Sequence, residues 1–213
     1  SHNLTAGWYG NACGCVDGCC SDHCDSLECF AGDVNATLAL GFDSYKIDGC
    51  GAQRDIELWA RSFNHSIVAA KKPLGMMIEN CHDGDGDSPG ANEPHYDENG
   101  NLWCPFHTYR TSGDARPTYG SLLHNLNSTR RLALANLSVP GCWAFADMME
   151  IGVTATQHMH DCGETGTEAC VPLNVTEARS HFGAWAIVSS PLVLSFDLRD
   201  ETVLHLHWPT ITN

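Results

Sequence analysis

The chain has no apolar run near the roughly 18 residues that a membrane-spanning helix needs, so no span is read from it. It is poor in basic residues. Lys and Arg number 11 against 26 Asp and Glu, a formal net charge of −15, and the cations do not cluster. Nucleic acid and anionic membranes are recognised through a basic patch or stripe, so neither is expected as a partner, and the acidity reads as solubility. The opening Ser1-His2-Asn3 has no basic segment followed by an apolar one, so no signal peptide is visible. Either a leader was removed or the chain begins inside a longer protein. A Gly-rich phosphate turn after the first strand, usual in an open doubly wound sheet, is missing too. Cys13, Cys15, Cys19, Cys20, Cys24 and Cys29 fill that place.

What the chain does have is cysteine, 12 in 213 residues. It also has Asn-x-Ser/Thr sequons at Asn3, Asn35, Asn64, Asn127, Asn136 and Asn174. Single sequons are weak signals, but several together with an even cysteine count point to the secretory pathway and to disulfides. The Cys13–Cys29 loop lacks paired C-x-x-C units, which argues against zinc. Cys162 and Cys170 flank a short polar loop and are expected to bridge. Asp83-Gly-Asp-Gly-Asp87 begins like a calcium loop. Ser88 then stands where the tight-turn Gly belongs and Pro94 where the bidentate Glu belongs, so no metal is expected there. His158 with His160 and His205 with His207 have no carboxylate partner placed beside them and read as surface or core histidines. No cofactor is expected.

With 43% hydrophobic residues the chain can build a real core, as one large domain or part of one. Strand signals fall at 4–10, 44–48, 73–79, 107–111, 137–145 and 187–195. Helical spacing falls at 33–41 with Asp33 as cap, at 53–70, at 119–135 and at 175–186 with Asn174 as cap. This alternation predicts an α/β fold of parallel strands with crossover helices. Polar residues collect where the strands end: Asp48, Glu79, Arg110 with Asp114, Asp147 and Asp197. In a (β/α)8 TIM barrel that rim is where catalysis sits.

The stretch Tyr45-Lys46-Ile47-Asp48-Gly49-Cys50 stands at the centre of this pattern. Its alternation points Tyr45 and Ile47 one way and Lys46 and Asp48 the other. A charged pair on one face of an apolar strand is costly to bury. It persists as a satisfied ion pair, or because a site needs it.

These residues, with Gly7-Trp8-Tyr9, Tyr109-Arg110-Thr111-Ser112-Gly113-Asp114, Asp147-Met148, Ser190-Pro191-Leu192 and Asp197-Leu198-Arg199, resemble the melibiase-type α-galactosidases and α-N-acetylgalactosaminidases of glycoside hydrolase family 27. The resemblance covers nearly the whole chain, and its specific parts are Lys-x-Asp-Gly-Cys and Arg-Thr-x-Gly-Asp. It implies a (β/α)8 barrel and a retaining mechanism. Asp48 matches the nucleophile after the fourth strand, and Asp114 the general acid/base after the sixth. Retention needs two carboxyls about 5–5.5 Å apart, one ionised and one protonated. Lys46 would favour the ionised nucleophile. Arg110 is expected to hold a sugar hydroxyl and the local charge balance, and Tyr9 to line the sugar pocket. Cys50 matches a half-cystine whose partner is Cys13 or Cys15, and Cys81 with Cys104 would tie the fifth-strand loop. Glu79 matches a residue that binds the sugar 2-hydroxyl. That favours galactose over N-acetylgalactosamine, whose enzymes use smaller residues there.

The sequence departs from the family in places. Family members set Cys immediately before that Glu, whereas Cys81 follows Glu79 by two; Trp-Asn-Asp-Pro-Asp-Met reads Trp143-Ala-Phe-Ala-Asp-Met148. About six βα units are counted, the first matching the family's third. Residues 1–213 are therefore expected to be a partial barrel without the first two strands or the C-terminal β-domain. Such a remnant exposes sheet edges, so the chain alone is expected to be poorly stable and inactive, and the full protein to be the enzyme. The expected substrate is a terminal α-galactoside and the expected location secreted or lysosomal/vacuolar. A homodimer is left open. The alternatives are an α-N-acetylgalactosaminidase, a catalytically inactive carbohydrate-binding protein and, third, a metal-binding secreted protein.

Overall fold

Alternating burial builds the strands in the computed structural model, which describes residues 4–10, 27–48, 55–71, 75–81, 93–153 and 172–213. These divide between two compact units, one drawn from Ser1–Arg110 with Val139–Cys142, the other from Thr111–Ser138 with Trp143–Asn213.

In unit 1, β1 (Gly7–Gly10), β2 (Ser44–Asp48), β3 (Met77–Cys81) and β6 (Thr108–Arg110) run parallel in that spatial order. Helix α1 (Leu27–Ala39) links the first pair and α2 (Ile56–Ala70) the second. A hairpin of β4 (His95–Tyr96) and β5 (Leu102–Trp103) precedes β6. Tyr45 and Ile47 are buried as the alternation requires. The Tyr45 ring lies 5.3 Å from Trp59 and 5.2 Å from Phe63 on α2, and Phe30 of α1 meets Trp59 edge-on at 4.7 Å. Burial pushes the Tyr45 hydroxyl up to about 12, with Asp33 adding to the rise. A Cβ at Gly10 would overlap that hydroxyl, so the close approach of β1 to β2 needs glycine there. Asp55 caps α2, its carboxylate accepting from the Leu58 amide at 2.9 Å, and Lys71 closes the helix in the left-handed region at φ 51°.

Unit 2 holds α3 (Tyr119–Leu134), β7 (Trp143–Phe145), α4 (Val175–Ile187) and α5 (Glu201–Ile211). Its core gathers Leu122, Ala146, Met149, Ile151, Leu173, Ala178 and Trp185. Asn174 and Glu177 form a reciprocal capping box at the start of α4.

The observed elements differ from the sequence reading in instructive places. Helix α1 begins at Leu27 rather than at an Asp33 cap; Gly41, at φ 84°, ends it as read. The strand read over 137–145 is regular only from Trp143, because Pro140 and Gly141 (φ 87°) turn the chain between Val139 and Cys142. The strand read over 187–195 reduces to Leu194, which bridges Met149 in parallel. Ile187 still belongs to α4, and Ser189 (φ 57°) and Pro191 break the extended run beyond it. Helix α5 was not foreseen: Pro209 lies inside it and its buried residues, His207 and Thr210, are polar. Its signal was Asp200, which accepts from the Thr202 and Val203 amides.

One disulfide expectation is corrected. Cys104 bonds to Cys142, not to Cys81, with Cα atoms 6.2 Å apart. Cys81 ends β3 in register with Asp48, where its side chain meets Arg110, and it remains a buried free thiol. Closing 38 residues of sequence separation stabilises a chain by about 4 kcal/mol in the loop-entropy view. Cys13, Cys15, Cys50, Cys162, Cys170, His158, His160 and the Asp83–Asp87 loop lie outside the described residues. Among the described residues no group of three or more His, Cys, Asp or Glu could hold a metal, and no helix is long and apolar enough to cross a membrane.

Candidate active site

Strand register alone places most of the expected residues of unit 1 together. Tyr9 is paired with Lys46, Lys46 with Glu79, and Glu79 with Thr108, so these four share one face of the sheet. Two residues further along, Asp48 is paired with Cys81. Arg110 stands two beyond Thr108, at the same level. Seven side chains from four strand ends thus occupy one patch, on the face opposite the aromatic packing of α2.

The contacts within the patch are polar. The Tyr9 hydroxyl donates to Asp48 Oδ2. Lys46 Nζ lies 3.5 Å from Glu79 Oε1 and 5.5 Å from the centre of the Tyr9 ring. Arg110, only 2% exposed, directs Nη1 to Cys81 Sγ at 3.5 Å. Burial pushes the Cys81 thiol up to about 11, opposed by Arg110 and Lys46 and reinforced by Glu79 and Asp48. Two cations and two carboxylates therefore act on one buried sulfur. Balanced charge is what makes ionic groups tolerable in a half-buried patch. A thiol held neutral is a poor nucleophile, and Cys81 packs against the Arg110 guanidinium.

Asp114 belongs to unit 2 and is exposed. It sits in the turn between β6 and α3, and hydrogen bonds largely to backbone groups hold that turn. The Thr111 amide donates to the Phe145 carbonyl at 3.1 Å, and the Thr111 and Ser128 hydroxyls are 2.7 Å apart. Asn125 of α3 donates from Nδ2 to the Gly113 and Ala146 carbonyls, both at 3.1 Å. Asp147, 3% exposed and at φ 85°, accepts the Ala115 amide on Oδ2 at 2.6 Å. The Asp147 carbonyl accepts from Trp185 Nε1 at 2.7 Å. Asn125 was missed in the sequence. An amide at a core position of a helix is a readable signal, because buried amides need partners, but its partners are backbone groups that no pattern names.

Other expected positions do different work. Asp197 is engaged by its neighbour Arg199, which donates from its amide and guanidinium and holds the carboxyl down to about 2. His205 is exposed against the Glu201 carbonyl, while His207 is buried. Two residues apart on a helix do not share a face, so these two do not form a metal pair. Burial pushes His181 down to about 4; its Nε2 accepts the Glu150 amide at 3.1 Å and its ring meets Trp185 edge-on.

A parallel α/β layer that carries paired charges at its strand C-termini has the layout of a barrel-type enzyme site. Among curated proteins, the chain is 30% identical over 182 residues to α-galactosidase A of Cellvibrio japonicus, covering 79% of this chain and 37% of that protein. It is 26% identical over 176 residues to the α-galactosidase of Oryza sativa, covering 82% and 34%. The chain thus spans about a third of the length of these relatives, and of others, such as probable α-galactosidase D of Aspergillus terreus, only 13%. No family model matches. Among solved structures, a provisionally named α-galactosidase of Bacteroides fragilis superposes with a TM-score of 0.60 at 21% identity, over 95% of this chain and 41% of that one. A family 27 β-L-arabinopyranosidase of Geobacillus stearothermophilus gives 0.54 at 17%, over 85% and 41%. In sequence the chain is a relative of the α-galactosidases, and in fold it is similar to the enzymes of glycoside hydrolase family 27. No barrel is closed among the described residues.

Proposed function

We propose that this chain carries the catalytic centre of a retaining glycoside hydrolase that removes terminal α-linked galactose. The observation that supports it most is the patch in unit 1. Asp48 stands at a strand tip, takes a hydrogen bond from Tyr9 and shares its face with the Lys46–Glu79 pair. In the proposed reaction Asp48 attacks the anomeric carbon while Asp114 protonates the departing oxygen. Asp114 then takes a proton from the water that releases the sugar. The Tyr9 hydroxyl donates to the Asp48 carboxylate and holds it in place. Glu79 and Lys46 are the groups proposed to meet sugar hydroxyls, Glu79 at the 2-position. Arg110, almost wholly buried, contributes charge balance beneath the sugar.

The parallel strands are read as part of a (β/α)8 barrel, with β2 in the place of the family's fourth strand. Secretion is the proposed route. Asn35, Asn64, Asn127, Asn136 and Asn174 are all exposed and the Cys104–Cys142 disulfide needs an oxidising compartment. Loss of mass on enzymatic deglycosylation of the natural protein checks this.

The test of function is hydrolysis by the full-length protein of nitrophenyl α-galactoside beside nitrophenyl α-N-acetylgalactosaminide, with the first-formed anomer followed by NMR. Galactose released first as the α-anomer, and lost with Asp48→Asn, is expected. Release of the β-anomer, unchanged turnover in that variant, or carboxyls of Asp48 and Asp114 well over ~10 Å apart in a crystal structure would overturn the reading, since double displacement requires about 5 Å.

A further inference from the structure

We infer that Asn125 is a positioning residue for Asp114. The inference rests on the acid/base role proposed for that carboxyl. A side chain's direction is set by the two peptide planes that flank its Cα, and both planes around Asp114 are held from outside the turn. The plane before it is held at the Gly113 carbonyl by Asn125 Nδ2, and the plane after it at the Ala115 amide by Asp147 Oδ2. The two anchors are tied to each other, because the Asn125 amide also binds the carbonyl of Ala146, next to Asp147. Asp147 is held in turn by Trp185. Asn125 is 2% exposed in the body of α3, where an amide is unfavourable unless its polar atoms are used. Between them these bonds hold the backbone on both sides of Asp114. An exposed carboxyl on a fixed backbone suits a group that must deliver a proton to one oxygen and later collect one from water.

The experiment compares two substrates of the full-length protein. An alkyl α-galactoside needs its leaving group protonated, and 2,4-dinitrophenyl α-galactoside scarcely does. Asn125→Ala should lower kcat/KM on the alkyl substrate by roughly 10–100-fold, as expected for a misplaced general acid. It should change the dinitrophenyl substrate by less than about 3-fold, and Asn125→Gln, which keeps the donor, should recover part of the loss. Equal losses on both substrates would mean a merely structural role and overturn the inference. Asp114→Ala is the reference. If it shows the leaving-group dependence and Asn125→Ala does not, the positioning role falls and the acid/base role stands. If Asp114→Ala itself shows none, both fall. Should Asn125→Ala fail to fold, Asn125→Ser, smaller but still a donor, is read by the same criteria.

Discussion

The strand ends of unit 1 hold Asp48 among charged side chains on paired strands, whereas the turn of unit 2 that carries Asp114 is anchored through its backbone by Asn125 and Asp147. In unit 1 the constraints are side chains on paired strands: a tyrosine hydroxyl, a lysine paired with a glutamate, and an arginine beneath. In unit 2 they are one buried amide and one carboxylate, both bound to main chain. The first arrangement sets what surrounds a side chain, and the second sets the direction of the backbone that carries it.

The sharpest way to break this contrast is to remove each carboxyl in turn. Asp48→Asn should cost on the order of 10³-fold or more in kcat on every galactoside, since a missing nucleophile cannot be bypassed by a better leaving group. Asp114→Asn should spare substrates with good leaving groups. Equal sensitivity of both variants to the leaving group, read from kcat/KM across an aryl series, would erase the distinction.

Stability separates the units next. Replacing Cys104 and Cys142 with Ser should destabilise the protein by about 2–4 kcal/mol, measured by denaturant unfolding with and without reductant. Exchange protection should fall first in the strands of unit 1.

The largest acid sensitivity is expected at His181 of unit 2. His181 is held near 4 by burial, below its ordinary 6.5, so the unfolded chain binds the proton more readily. Its contribution is full above pH 6.5, is lost as pH falls from 6.5 towards 4, and changes no further below that. The loss is about 3 kcal/mol. His181→Gln, which keeps an acceptor for the Glu150 amide, should flatten that part of the stability–pH curve measured by thermal melts. An unchanged slope would show that His181 is not its source.

The smallest effect is expected at Cys81. Cys81→Ser should leave kcat/KM within about 3-fold, because a thiol this hard to ionise does no nucleophilic work. A loss of 100-fold would give the sulfur a part in the patch beyond packing.

Much of this arrangement was legible in the residues, and the parts that were not share one cause. The alternation Tyr45-Lys46-Ile47-Asp48 announced which side chains would face α2 and which would share the polar face, because strand period is a local property of the backbone. Helix α2 and the Asn174 cap were readable for the same reason. The β4–β5 hairpin was not read, although Asp97 accepting the Asn99 and Asn101 amides is a local turn device. Helix α5 was hidden by Pro209 and by polar residues on its buried side.

Periodicity and residue chemistry by themselves determined that this chain would form parallel strands ending in acidic and basic residues, with Tyr45 and Ile47 turned away from Lys46 and Asp48. Only the tertiary structure decided who partners whom: Cys104 with Cys142 rather than Cys81, Lys46 with Glu79, and Asn125 with the turn of Asp114. Side-chain direction is fixed by the next few residues, but a partner is chosen by which distant segments the fold brings within 3–4 Å, and no local pattern encodes that distance.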